Sequence, residues 1–227
     1  KRKYGFRRAF TLRPHLLKGM LSISGWTMVQ SFISVSIWFI FFLAIEHLGE
    51  RPLAVTNIVR NISALLIMVI SAFATTAGAL ISNQIGAGEQ RCLFKTCGMT
   101  LKLTYAILIP LLIILCLFPE SVLRAFTDSP SLIAASVNSV YVMASSTLIM
   151  APSFILFNAV SGTGNTRAGF IMEMISLAVY TAVIYYGIIR LKPDVALCWF
   201  SEHVYGVTLI FLAWWYLKSG KWRGKKV

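Results

Sequence analysis

The chain is 227 residues long, with 57% hydrophobic residues, 13% charged residues and a mean hydropathy of +0.75. That balance excludes an ordinary soluble domain, whose apolar share is roughly 45–50% and whose charged share is about 25%. A formal net charge of +13 would suggest nucleic acid in a soluble chain. In so apolar a chain the placement of charge matters more than its size, and no nucleic-acid partner is expected.

Six stretches with few charges are long enough to cross a bilayer as helices, at 16–45, 53–81, 93–118, 132–159, 168–189 and 199–217. The predicted fold is all-α, a bundle of six transmembrane helices over 16–217, between a basic segment at 1–15 and a basic tail at 218–227. The opening KRKYGFRRAFTLRPHLLK mixes basic residues with Tyr4, Phe6, Phe10 and Leu12. Both a segment lying on an anionic leaflet and a solvated basic linker fit that composition. It lacks the short apolar core and small-residue cleavage site of a signal peptide. A first residue of lysine, not methionine, is what the later part of a longer chain would show.

In the first span Thr27, Gln30, Ser34 and Trp38 recur at helical spacing and share one face. Glu46 and His47 stand at its far end. The second span carries Asn57, Arg60 and Asn61. An arginine inside a membrane needs a partner or a route to the headgroups, so Arg60 either binds Glu46 as an outer gate pair or snorkels. After this span comes IGAGEQRCLF, and after the fourth comes AVSGTGNTRAGF. Gly86-x-Gly88-x-x-Arg91 and Gly162-x-Gly164-x-x-Arg167 are therefore one pattern used twice. No strand, third glycine or later acid accompanies either copy, so a dinucleotide fingerprint is a poor fit and a structural turn a better one. Gly86 and Gly162 are expected to be left-handed helix ends, with Asn165 or Thr166 capping the next helix.

The third span contains Lys102. The fourth aligns Asn138, Tyr141 and Ser145, and its Pro152 removes a backbone donor. The resulting kink suits a moving or cavity-lining helix, or a static one satisfied by its neighbours. Glu173, in the fifth span, is the only acid placed well inside hydrocarbon, with Tyr180 two turns deeper on the same face. An ion pair with Lys102 and a proton or cation site both remain open for it. His203 follows Glu202 at the start of the sixth span and reads, like His47, as interfacial. Cys92, Cys97, Cys116 and Cys198 lack metal-type spacing and read as small buried residues, so no metal site is expected.

Six spans put both termini on one side. The opposite side keeps only five of the 21 Lys and Arg, namely Arg51, Arg60, Arg124, Arg190 and Lys192. It also holds six of the eight acids, Glu46, Glu50, Glu120, Asp128, Asp194 and Glu202. The positive-inside rule then makes both termini cytoplasmic.

Leu48-Gly49, Gly86-Ala87-Gly88 and Gly162-Thr163-Gly164-Asn165-Thr166 occur in register with the predicted spans. This order, over about 14–180, resembles the C-terminal half of a multidrug and toxic compound extrusion (MATE) transporter. The resemblance implies one lobe of a twelve-helix, inverted-V antiporter of the plasma (inner) membrane. Such a protein expels small, cationic or amphipathic organic compounds in exchange for sodium or protons, and parallel repeats place the substrate between the lobes. It implies no enzyme activity and no cofactor beyond the coupling ion. The expected partners are a small-molecule substrate, the lipid bilayer and an N-terminal lobe in the same polypeptide or a second chain. In several relatives a glutamate stands where Ser34 aligns and an aspartate where Met150 aligns. Both acids are absent here, which would move the main coupling carboxylate to the other half.

The cavity candidates are thus Gln30, Ser34, Trp38, Asn57, Asn61, Asn138, Tyr141, Ser145 and Tyr180, with Glu173 the coupling candidate. Glu46, Arg60 and Lys102 are the gate or ion-pair candidates, and Gly86, Gly88, Gly162 and Gly164 the turn positions. Three other functions compete: a lipid or oligosaccharide-lipid flippase of related architecture, a noncatalytic membrane subunit, and an enzyme acting on lipids. The enzyme would need clustered acids or a His-Asp pair, and the acids are dispersed.

Overall fold

A computed structural model describes residues 14–220 and 222, so the expected basic segment and most of the basic tail lie outside the described residues. Among the described residues eight α-helices follow one another: α1 (Pro14–Glu46), α2 (Glu50–Gly86), α3 (Leu93–Leu117), α4 (Pro119–Leu123), α5 (Pro130–Gly162), α6 (Thr166–Val183), α7 (Val195–Cys198) and α8 (Ser201–Ser219). A short 3₁₀ turn, Gln90–Cys92, precedes α3, and a π-helical segment, Ile184–Arg190, prolongs α6. Six helical stretches are long and apolar enough to cross a membrane, as the hydropathy reading expects.

The boundaries follow local chemistry. Pro119 and Pro130 open α4 and α5 at the first helical position, where a missing N–H costs nothing. Asn165 caps α6 by accepting the Ala168 N–H at 3.2 Å, one of the two capping residues expected. Within the two repeat loops the left-handed glycines are Gly88 (φ 83°) and Gly164 (φ 77°), whereas Gly86 and Gly162 are still helical. The turn thus falls two residues later than expected in both copies of the repeat.

Gly162 has a different reason to be glycine. A Cβ on it would lie 2.5 Å from the Gly78 carbonyl oxygen, and one on Gly78 would lie 2.9 Å from the Asn158 carbonyl oxygen. The two long helices α2 and α5 therefore cross almost backbone to backbone, the close approach that small residues permit in membranes. This pair is the spine of the lobe, with α3 against both and α8 against α5. The α1 helix packs chiefly on α6 and its π-helical extension.

One core cluster fills the half of the lobe around Val59, Ile62, Leu108, Met143 and Trp199. A second, around Ile81, Leu93, Ile155, Ala159 and Leu209, fills the half nearer the glycine loops. A third ties α1 to α6 through Phe41, Ile45, Tyr180 and Ile184. Phe32, Met68, Leu103, Ile113 and Phe211 face outward, as a bundle bathed in hydrocarbon requires.

Pro152 lies inside α5 without ending it. The carbonyl four residues back, on Leu148, loses its helical donor and instead accepts the Tyr105 hydroxyl of α3 at 2.7 Å. A neighbouring helix thus satisfies the freed group.

Candidate functional site

Helices α1, α2, α5, α6 and α8 line a partly open pocket of about 240 Å³. Its wall is mostly apolar, with Trp38, Ile67, Met150, Phe154 and Leu177. Into this wall are set Ser34, Glu173, Tyr180, Glu202 and Tyr205. Glu173 is 4% exposed. Its Oε1 accepts hydrogen bonds from the Ser34 hydroxyl and from the Tyr205 hydroxyl, both at 2.9 Å. The Tyr180 hydroxyl donates to Glu202 Oε1 at 2.8 Å. The rings of Tyr180 and Tyr205 meet edge to face at 5.8 Å, so the two tyrosine-capped carboxylates share one aromatic contact.

Helix geometry explains the convergence. Glu173 and Tyr180 are seven residues apart on α6 and Glu202 and Tyr205 three apart on α8, so each helix turns one polar stripe toward the other. Ser34 adds a third element from α1. Its hydroxyl also stands 3.0 Å from the Gln30 carbonyl, yet it carries a single proton. It can give that proton to the Glu173 carboxylate or to its own helix, and in the second case it can accept a proton from Glu173.

Several expected partnerships are different. Lys102 is exposed on α3, and among the described residues no ion pair joins it to Glu173. The reason is that α3 packs on α2 and α5, whereas α6 packs chiefly on α8 and α1. Glu46 is exposed and makes no ion pair with Arg60 among the described residues. Arg60 instead lays its guanidinium over the rings of Trp38, at 6.0 Å, and Phe42, at 5.3 Å. The described contact is thus with the aromatic pair on α1, not with Glu46.

Of the cavity candidates, Ser34, Trp38 and Tyr180 line the pocket. Gln30 is half-buried and contributes its backbone carbonyl to Ser34. Asn57 is half-buried and Asn61 exposed on α2, and neither reaches the pocket. Tyr141 points to α3, with its hydroxyl 3.4 Å from the Cys116 carbonyl, and Ser145 meets His203 Nε2 at 2.9 Å. Asn138 is exposed. The stripe of Asn138, Tyr141 and Ser145 therefore lies outside this pocket. The side chain of Thr27 lies outside the described residues.

Glu202 and Tyr205 escape the sequence reading. The sixth span begins four residues earlier than its apolar run suggests, because Asp194 caps the short α7 and starts the helical segment there. Glu202, half-buried in the first turn of α8, therefore lines the pocket. The i, i+3 spacing of Glu202 and Tyr205, on the same helix face as Leu209, was the available signal.

Ser34 and Met150, where relatives are expected to carry acids, both line this pocket, so its acids arrive from α6 and α8. Residues 27–186, well over half of the chain, match the MatE family model. The chain belongs to the MatE family. This MatE chain also superposes on solved MATE structures. The Vibrio cholerae MATE transporter VcmN in its bent form matches with a TM-score of 0.81 at 15% identity, over 92% of this chain and 48% of that one. An outward-facing MATE transporter of the MOP superfamily gives 0.78 at 14%, covering 90% and 46%. A MOP-superfamily transporter from Pyrococcus furiosus, whose reversed pocket polarity suggests a different function for it, gives 0.77 at 14%, covering 88% and 44%. At such identities the likeness establishes the fold, and the chain spans a little under half the length of these transporters. Curated protein sequences give no match.

Proposed function

We propose that this MatE chain acts as one lobe of a secondary efflux transporter, exporting small cationic or amphipathic organic compounds by antiport, with Glu173 as its ion-coupling carboxylate. The observation that carries this reading is the chemistry around Glu173. Among the described residues its hydrogen-bond donors are both neutral hydroxyls, and no Lys or Arg lines its pocket. A carboxylate at that depth is costly unless a proton or a cation joins it. The second lobe, from the same polypeptide or another chain, would complete the substrate space, and both termini would face the cytoplasm at the plasma (inner) membrane.

The test is efflux of a fluorescent organic cation from cells expressing the complete transporter, compared with its Glu173→Gln variant. Equal membrane expression with lost efflux is expected. Undiminished efflux by Glu173→Gln would refute the coupling role. Translocation of a headgroup-labelled lipid in place of cation efflux would move the protein to the flippases.

A further inference from the structure

Glu173 belongs to two pockets at once. Besides the one described, a second pocket of about 220 Å³ is lined by Ser71, Thr75 and Asn158 together with Phe157 and Leu209. Glu173, Tyr205 and Phe154 line both. The two pockets are offset along the helix axes. In the first, Trp38 lies near the end of α1, and Glu202 near the start of α8. In the second, Thr75 lies three turns before the end of α2, and Asn158 one turn before the end of α5. Both of those ends lead into the glycine loops, at Gly88 and Gly164.

We infer that this lobe holds its own route for protons, with Glu173 as the exchange group and Tyr205 with Phe154 as the partition between a Glu202-side pocket and a loop-side pocket. The inference rests on the coupling role proposed above for Glu173 and adds where the proton enters and leaves. Protonation is a single exchange. A proton carried by water in the first pocket adds to the carboxylate, and the same carboxyl later gives a proton to water in the second pocket. No other bond changes.

Three observations support a proton over a metal cation. Among the described residues, the two oxygens of Glu173 and the hydroxyls of Ser34 and Tyr205 are the side-chain oxygens hydrogen-bonded together here, whereas a hard cation collects about six or more. The Ser34 hydroxyl has two alternative acceptors, Glu173 Oε1 and the Gln30 carbonyl. It can stabilise the ionised acid as a donor and the neutral acid as an acceptor. The titratable groups facing Glu173 are Tyr205 and Glu202 from α8 and Tyr180 from α6. The linings contributed by α1, α2 and α5 hold no charged side chain.

The loop-side pocket is suited to water. The Asn158 amide nitrogen is used by the Phe154 carbonyl at 2.9 Å, which leaves its carbonyl oxygen as an acceptor. Thr75 donates to the Ser71 carbonyl at 2.8 Å, and its own lone pairs stay available. A pocket of this volume holds several waters, each of about 30 Å³, and polar groups on its wall would bind them.

The complete transporter in liposomes, loaded with a pH-sensitive dye, tests the route. Thr75→Leu and Asn158→Leu narrow the loop-side pocket, and the native side chains hydrogen-bond their own helices, not Glu173 or its donors. Each should suppress substrate-driven proton movement while leaving equilibrium binding of the fluorescent cation intact. Phe154→Ala opens the partition and should produce proton leak without substrate, a leak lost again when Glu173→Gln is added. Thr75 is exposed, so its leucine variant should fold even where Phe154→Ala does not. If Glu173→Gln abolishes coupled transport but both leucine variants move protons at the unmodified rate, the route is overturned and the coupling role survives. If Glu173→Gln transports normally, both fall. Transport that needs sodium and persists without a pH gradient would also overturn the route.

Discussion

Gly162→Ala isolates the crossing of α2 and α5. The added methyl would meet the Gly78 carbonyl oxygen at 2.5 Å and the Gly78 Cα at 3.2 Å. Both atoms are backbone of a long helix, so neither can rotate aside, and the helices must move apart along the packing that forms the spine of the lobe. Overpacking of this kind costs roughly 1–3 kcal/mol. For a cooperative unit of this size each kcal/mol shifts the thermal midpoint by roughly 2–4 °C, so a fall of about 2–12 °C is expected. Gly86→Ala is the matched control, because a Cβ there has open space. Gly86 is the last residue of α2, and alanine there should be neutral or gain up to about 1 kcal/mol in helix propensity. The assay is the thermal midpoint of the full transporter in detergent, followed by size-exclusion retention after heating. A Gly162→Ala protein as stable as the Gly86→Ala protein would show that the backbones do not approach as closely as described.

Tyr105→Phe should cost about 1–2 kcal/mol by leaving the Leu148 carbonyl without its donor. In a Pro152→Ala background, where a helical N–H returns to that carbonyl, most of the cost should vanish; equal costs in both backgrounds would break the link to Pro152. Lys102→Met should leave efflux unchanged and stability within about 0.5 kcal/mol, as for exposed positions generally. Lost activity that returns on adding Glu173→Gln would instead reinstate the ion pair. Cysteines introduced at Arg91 and Asp128 in a cysteine-free transporter should differ in labelling by an impermeant external reagent, with only the second modified. The reverse pattern would invert the proposed topology.

The spans were legible because hydrocarbon imposes a local rule: about twenty consecutive apolar residues must satisfy their backbone bonds within one helix. The repeated glycine turns were legible for a similar local reason, although the left-handed residue proved to be Gly88 and Gly164 and not the glycine before each. Glu173 stood out because a single acid in an apolar run is rare at any position. Its partners did not. Ser34 lies 139 residues away in the chain and Tyr205 32 residues away. Membrane helices are apolar on nearly every side, so their patterns do not show which face turns toward which neighbour, and Lys102 and Glu46 appeared as good partners as any. Only the crossing of α2 with α5 and the seating of α1 and α8 against α6 decide that Glu202 lines the pocket, that Arg60 lies on Trp38 and Phe42, and that Gly162 must have no side chain. Transfer into lipid is a property of each segment and can be read one segment at a time. Contact between segments is a property of pairs, and it exists only once the helices have docked.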